Sequence, residues 1–404
     1  MKMSKSLPLG LLFATLAGFA GEARAQVSCP ASPPPVPALA CGNPEFRSCA
    51  IDVGGIPRHF CVHEPSSPPG VPPDGRPVVL GFHGRGGEAA KMVALLDHLT
   101  EQGMVLVAPT ALPTSAACVP RWRHMDSTIP TWADLSAADA CDQAKGPWPA
   151  HSANRADLDF IATLMTEIDD QIEVQGFYAL GFSSGAGMVL QLFITEPFAS
   201  RIEGFGVIAN GLTDEKIAAQ AGGGSGPFSA NADTRRPVIL IAGTADKVLF
   251  PGQRVIETLE ALDGTECPPL TSPREVIECF LAKPMALGLG PLDFVSRLDE
   301  TVAWLTDFND TQPRAIEGSY PDRGHGAAPA HLQDATVVVR QDYLPSVQQG
   351  GQPVTVLTVL GGGHNVPGAR GDHAPCEPQN CDIRGIDEAL QFWRATAGFE
   401  TLWR

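Results

Sequence analysis

The stretch that most constrains how this chain can fold is Gly-Phe-Ser-Ser-Gly at positions 181–185. A short apolar segment, 177–180, precedes it, and an apolar segment of helical length, 188–194, follows it. A strand, a tight turn between two glycines and a helix form a nucleophile elbow, which holds the central Ser183 on a sharp bend. Glycine on either side of the bend allows the strand and helix to pass close together, because glycine has no side chain. The free N–H groups at the helix N-terminus favour negative charge that develops beside the serine.

Strands and helices alternate on both sides of this elbow. After a predicted hairpin of strands 48–53 and 58–63, the predicted strands are 77–82, 104–108, 177–180, 205–209, 238–242 and 354–360. The predicted helices are 88–100, 157–168, 188–194, 301–308 and 387–395. This alternation predicts an α/β fold with a mostly parallel sheet and helices on both faces.

Two more chemically competent residues follow predicted strands. Asp246 comes just after strand 238–242, and His364 follows strand 354–360 and three glycines. The order Ser183, Asp246, His364 is that of α/β-hydrolases. In such a triad the imidazole takes the serine proton, and the carboxylate orients the imidazole and stabilises its charged form. The pattern therefore predicts a catalytic triad, although Asp246 could alternatively cap a turn.

The segment His-Gly-Arg-Gly-Gly at 83–87 has two interpretations. Together with Glu88 and Ala89 it fits a relaxed dinucleotide-binding pattern, which requires an acidic residue at the end of the next strand. That strand ends in Ala-Pro-Thr at 108–110, with no acid. We therefore favour an oxyanion loop, in which the N–H groups of Arg85 and Ser184 receive the charge of a tetrahedral intermediate.

The first 25 residues are predicted to be a secretory signal peptide. Lys2 and Lys5 precede an apolar region at 7–20, and Ala-Arg-Ala at 23–25 is a typical cleavage site. A proline-rich segment, 26–46, and a catalytic domain, 47–404, should follow, in an extracellular or periplasmic protein. The formal net charge of −17 argues against nucleic acid or an anionic membrane as partner.

The chain has ten cysteines, all after residue 25, and an even number in an exported protein indicates disulfides. No pair has the C-x-x-C spacing of a zinc site, so no metal site is predicted. If the first hairpin has a three-residue loop at 54–56, Cys49 lies opposite Cys61, within bonding reach. Pairing of sequence neighbours predicts Cys29–Cys41, Cys49–Cys61, Cys118–Cys141, Cys267–Cys279 and Cys376–Cys381.

Residues 111–150 form a predicted insertion at the edge of the sheet where ligands bind. Three of its aromatic residues are candidates for the wall of a substrate cleft: Trp122, Trp132 and Trp148. Each could alternatively pack as satellite core under a long loop.

From residue 47 to about residue 397 the chain resembles the secreted polyhydroxybutyrate depolymerase-like esterases, which include feruloyl and acetylxylan esterases. The resemblance rests on the motifs at 82–87, 181–185, 243–246 and 361–368. It implies an α/β-hydrolase fold and an exported serine carboxylesterase that needs no cofactor. The implied substrate is a small-molecule or polymer ester.

One position departs from that family. The family usually carries an aromatic residue two positions after the histidine, at a substrate-binding position that is Val366 in this chain. Valine offers no flat face for stacking, and no separate polymer-binding domain is recognisable. We therefore expect feruloyl, other aryl or short-chain esters to be better substrates than solid polyester. A polyhydroxybutyrate depolymerase, a serine peptidase and a non-catalytic binding protein on the same fold are the alternatives.

Overall fold

The structure is a computed structural model. It describes residues 41–65, 75–112, 132, 153–211, 234–244, 246, 293–320, 336–346, 350–368 and 383–397. The predicted signal peptide and most of the proline-rich segment lie outside these ranges. In the described part of the chain, no helix is both long enough and apolar enough to cross a membrane.

The described strands form one sheet in the order β1-β2-β4-β3-β5-β6-β7-β10-β9-β8. The strands are β1 (Arg47–Val53), β2 (Ile56–His63), β3 (Arg76–Phe82), β4 (Val105–Pro109), β5 (Val174–Phe182), β6 (Ile202–Ile208), β7 (Val238–Gly243), β8 (Ile316–Ser319), β9 (Val337–Tyr343) and β10 (Val354–Leu360). The six central strands, from β4 to β10 in that order, pair in parallel, and antiparallel strands extend the sheet on both sides. The carboxyl ends of the parallel strands therefore share one edge.

Helices cover both faces of the sheet, which confirms the predicted α/β fold. They are α1 (Ala89–Leu96), a 3-10 helix η1 (Asp97–Gln102), α2 (Ala153–Gln171), α3 (Ser184–Phe193), α4 (Phe198–Arg201), α5 (Asp293–Phe308) and α6 (Gly385–Thr396). Side chains from α2, α3 and α5 pack in one core cluster, and those from α1 and α6 pack in the other.

The centre of the sheet is buried on both faces, as its sequence requires. All seven residues of β3 are buried. Along β5, Phe177 and Ala179 belong to the first core cluster, whereas Tyr178 and Leu180 belong to the second. This alternation follows from the two-residue period of a strand, and it explains why the central strands are continuous apolar runs.

The first hairpin corrects the predicted cysteine pairing. Its loop has two residues, Gly54 and Gly55, both at positive φ, and Val53 pairs with Ile56. This shifts the register by one residue from the predicted three-residue loop, so that Cys49 pairs with Phe60 and not with Cys61. Cys49 and Cys61 consequently belong to different core clusters.

Cys61 bonds instead to Cys41, with Cα atoms 5.8 Å apart. The predicted pairs Cys29–Cys41 and Cys49–Cys61 are therefore wrong. Cys49 is also disulfide-bonded, and its partner is not among the described residues. The predicted pairs Cys118–Cys141, Cys267–Cys279 and Cys376–Cys381 lie outside the described part of the chain.

Peptide mapping of non-reduced protein should test this connectivity. We expect a cross-linked peptide that joins Cys41 to Cys61, and none that joins Cys49 to Cys61. Replacing both Cys41 and Cys61 by alanine should lower the free energy of unfolding by about 2–4 kcal/mol, because this bond closes a loop with a sequence separation of 20. Alkylation of Cys41 and Cys61 without reductant would contradict the assignment.

Strands β8 and β9 were not predicted, and α5 begins at Asp293, inside the segment 263–300, whose sequence predicts an insertion and no helix before residue 301. β8 has the burial pattern exposed, exposed, intermediate, exposed. An exposed strand of four residues gives no apolar alternation that the sequence could reveal.

Candidate active site

Ser183 stands between β5 and α3 in a backbone conformation that non-glycine residues rarely adopt, with φ 55° and ψ −121°. The glycines on either side are sterically required. A Cβ at position 181 would lie 2.3 Å from the carbonyl oxygen of Gly185, and a Cβ at position 185 would lie 2.1 Å from that of Phe82. The strand–turn–helix predicted from the sequence is present, and it places the serine at the N-terminus of α3.

Two hydrogen bonds to the backbone of Ser183 stabilise this strained turn. The N–H of Ser183 donates to the carbonyl oxygen of Ile208 at 2.9 Å. The buried side chain of Asn210 donates through Nδ2 to the carbonyl oxygen of Ser183 at 2.7 Å. Sequence reasoning missed Asn210, although a polar residue directly after the buried strand β6 was an available signal.

The three residues predicted as a triad come together at the shared strand edge. His364 Nε2 lies 2.8 Å from Ser183 Oγ, and His364 Nδ1 lies 2.7 Å from Asp246 Oδ2. The Asp246 side chain is fully buried and that of His364 is 19% exposed. In this geometry the serine hydroxyl can donate to Nε2 while Nδ1–H donates to the carboxylate, so one imidazole links the other two groups.

The loops after β7 and β10 are tied to each other, which fixes the acid relative to the histidine. Thr244 N–H donates to the carbonyl oxygen of Val359 at 2.9 Å, and Thr244 Oγ1 accepts from Gly361 N–H at 2.7 Å. A Cβ at Gly243 would lie 2.3 Å from the carbonyl oxygen of Gly362. Gly243 therefore allows the two backbone segments to approach closely, because it has no side chain.

The loop after β3 is fixed by the buried His83. Ala111 N–H donates to His83 Nε2 at 3.1 Å, so the ring proton is on Nδ1, which lies 2.8 Å from the carbonyl oxygen of Gly84. Trp132 Nε1 donates to the carbonyl oxygen of His83 at 3.0 Å.

Trp132 itself has no exposed surface and makes an edge-on contact with Phe82 at 5.2 Å between ring centroids. This corrects its predicted role as a cleft wall, because a side chain with no exposed surface supports the loop and cannot receive substrate. Val366 is only 5% exposed and belongs to the second core cluster, so it too is mainly a packing residue. Trp122 and Trp148 lie outside the described residues.

The loop after β3 reaches the serine through Gly84, where a Cβ would lie 3.3 Å from Ser183 Cβ. The next residue is Arg85, a predicted oxyanion donor, and Ser184 begins α3 on the other side. Neither backbone N–H has a hydrogen-bond partner in the described part of the chain. Two side-chain atoms of these same residues, Arg85 Nε and Ser184 Oγ, are also buried and have no hydrogen-bond partner among the residues that the structure describes.

No cluster of His, Cys, Asp or Glu side chains suited to a metal ion occurs among the described residues.

No protein-family model matches the chain. One curated protein, from Nocardia uniformis subsp. tsuyamanensis and named "Putative esterase NocK", is 26% identical over 406 residues, which cover 95% of this chain and 96% of that protein. The similarity thus extends over nearly the full length of both chains.

Solved structures similar to this chain include the BES protein from Bacillus cereus, with 12% identity, a TM-score of 0.35 and coverage of 55% of this chain and 85% of that one. An S-formylglutathione hydrolase from Agrobacterium tumefaciens has 17% identity, a TM-score of 0.32 and coverage of 61% and 94%. These TM-scores are too low to carry a functional argument. The strand order and the strand–turn–helix at Ser183 establish the fold. The chain has the α/β-hydrolase fold.

Proposed function

We propose that this protein is a serine carboxylesterase in which Ser183 is the nucleophile, His364 the general base and acid, and Asp246 the residue that orients the histidine. The observation that carries the proposal is the continuous hydrogen-bonded array from Ser183 Oγ through the imidazole to Asp246. The full-length similarity to a protein named as an esterase supports the same reaction class.

In the proposed reaction, Ser183 Oγ attacks the ester carbonyl carbon while His364 Nε2 takes the hydroxyl proton. The C–O bond to the alcohol then breaks, and the imidazolium returns the proton to the leaving oxygen. Water attacks the resulting acyl-serine by the same route, and His364 again takes a proton. A carboxylic acid is released and Ser183 recovers its hydroxyl.

The N–H groups of Arg85 and Ser184 are the proposed donors to the oxyanion. They have no competing partner among the described residues, and the α3 N-terminus adds its dipole. The loss of one such donor costs roughly 3–4 kcal/mol of barrier. His83 and Trp132 hold the Arg85 loop, so this donor is positioned before substrate arrives.

We further propose that the enzyme is exported and acts on small soluble esters, including aryl and short-chain acyl esters. The signal-like N-terminus and the ten cysteines support export. Since Trp132 is fully buried, its ring does not stack on the acyl group.

The proposal is tested by assaying p-nitrophenyl butyrate, methyl ferulate, a polyhydroxybutyrate film and p-nitroanilide amides with one enzyme preparation. We expect turnover of the small esters, little clearing of the film and at least 100-fold weaker amide hydrolysis. A fluorophosphonate should label Ser183, as located by peptide mapping. Film clearing without hydrolysis of the small esters would favour a depolymerase, and faster amide cleavage would favour a peptidase.

A further inference from the structure

Arg85 follows Gly84, the residue that approaches the nucleophile, and its positive charge has no counter-charge among the described residues. The chain has 45 acidic and 28 Lys or Arg residues, so acidic partners are abundant overall. Within the described ranges, however, the Arg85 side chain forms neither an ion pair nor a hydrogen bond. Other partly or fully buried arginines are paired: Arg58 lies 2.7 Å from Asp157, and Arg76 lies 3.3 Å from Glu64.

Leaving a buried guanidinium N–H without an acceptor is unfavourable, because its hydration is lost and not replaced. Arg85 Nε is fully shielded from solvent. The Nε atoms of Arg58 and Arg236 also lack a hydrogen bond among the described residues, but both of these guanidiniums form ion pairs with carboxylates. The hydroxyl of Ser184 is also buried, and no described residue forms a hydrogen bond with it. Two polar groups that lack partners therefore lie on the two residues proposed to donate to the oxyanion.

The position of Arg85 in the chain brings its backbone close to the proposed nucleophile. Its neighbour Gly84 approaches Ser183 so closely that a Cβ there would be 3.3 Å from the serine Cβ. Adjacent Cα atoms are about 3.8 Å apart, so the Cα atom of Arg85 lies only that far from the Cα atom of Gly84, the residue that approaches Ser183. The planar guanidinium is suited to bind a carboxylate through two hydrogen bonds.

We propose that Arg85 recognises a carboxylate on the ester substrate, so that the preferred substrates are anionic esters. This inference rests on the proposed esterase function and specifies its substrate class. The carboxylate replaces the missing counter-charge of Arg85 and fixes the substrate with its ester carbonyl beside Ser183. The carboxylate belongs either to the acyl group or to the alcohol, and both arrangements are tested.

The first experiment compares matched anionic and neutral esters. For the acyl side the pair is p-nitrophenyl hydrogen adipate and p-nitrophenyl methyl adipate. For the alcohol side it is 4-butyryloxybenzoate and its methyl ester. We expect the wild-type enzyme to favour the anionic member of one pair, so that kcat/KM for the anionic ester is at least ten times kcat/KM for the neutral one. This ratio should fall with added salt, because salt screens the charges.

In Arg85→Gln this ratio should fall about 10- to 100-fold, the range expected when a charge-assisted hydrogen bond is lost. The ratio is the relevant measure because the backbone N–H of residue 85 also serves the neutral ester. Arg85→Lys should restore part of it. Lys91→Gln is the matched control: it removes one positive charge, and the exposed Lys91 contacts the same loop through Gly86, so its ratio should stay at the wild-type value.

A binding measurement separates this inference from the proposed function. The carboxylate product of the preferred pair, which is adipate for the acyl side and 4-hydroxybenzoate for the alcohol side, should bind to Ser183→Ala in calorimetry, and at least tenfold more weakly to Ser183→Ala with Arg85→Gln. Equal binding to both variants, or an unchanged ratio in Arg85→Gln while esters are still hydrolysed through Ser183, would overturn the role of Arg85 alone. Failure of the wild-type enzyme to hydrolyse any ester, with no binding of adipate or 4-hydroxybenzoate, would overturn both proposals.

Discussion

Ser183→Ala should lower ester hydrolysis by at least four orders of magnitude while the protein remains folded. The substitution removes the only atom proposed to attack the carbonyl carbon, and His364 then has no hydroxyl proton to accept. A residual rate above that in water is expected, because the oxyanion donors and substrate binding remain. The measurement is kcat/KM for p-nitrophenyl butyrate, with circular dichroism and the melting temperature to establish folding.

Ser200→Ala is the matched control for that substitution. Ser200 is an exposed serine on α4 whose hydroxyl lies 2.8 Å from Glu196 Oε2. Its replacement should leave kcat/KM within about twofold of wild type, as is usual for exposed sites. If folded Ser183→Ala hydrolyses the ester at the rate of Ser200→Ala, Ser183 is not the nucleophile.

The strained backbone at Ser183 provides a second, structural comparison. A non-glycine residue in such a conformation costs roughly 1–3 kcal/mol. Glycine does not have this cost, but its greater freedom in the unfolded chain lowers the free energy of unfolding by about 0.5–1 kcal/mol. Ser183→Gly should therefore be at least as stable as Ser183→Ala and equally inactive, because the strain positions the hydroxyl and is not required for folding.

The parts of the molecule that were predictable from sequence depend on strong local patterns. The buried central strands are continuous apolar runs, and the residues proposed for chemistry follow three of them directly. Because parallel strands that share one edge bring their following loops together, Ser183, Asp246 and His364 could be grouped without any knowledge of tertiary contacts. In the structure, the His364 ring lies 2.7 Å from Asp246 Oδ2 and 2.8 Å from Ser183 Oγ, so the three side chains are as close as this grouping predicts.

The features that sequence reasoning missed depend on small differences in register or on distant contacts. One residue in the length of the Gly54-Gly55 loop decides which face Cys49 occupies, and both hairpin lengths are compatible with the sequence. Trp132 can be buried because its indole N–H donates to the carbonyl oxygen of His83, which is 49 residues away in the sequence. The role of Asn210 likewise depends on a backbone oxygen that no local pattern identifies.

The second large effect is expected at the acid. Asp246→Asn should lower kcat/KM by about four orders of magnitude, although asparagine has nearly the same shape. The carboxylate accepts Nδ1–H and so leaves Nε2 free to take the serine proton. An amide can present an N–H in its place, which favours the tautomer with the proton on Nε2. The imidazole would then be unable to act as a base toward Ser183.

Asp310→Asn separates this tautomer effect from the loss of one negative charge. Asp310 pairs with Arg235 at 3.4 Å, near the start of β7, whereas Asp246 follows the end of that strand. Its replacement should change kcat/KM by less than about threefold, because the pair is remote from the reacting atoms and partly exposed. A mild loss in Asp246→Asn, or a severe one in Asp310→Asn, would transfer the orienting role away from Asp246. The decisive accompanying measurement is the nuclear magnetic resonance spectrum of the His364 ring nitrogens, which should show protonated Nδ1 in wild type and protonated Nε2 in Asp246→Asn.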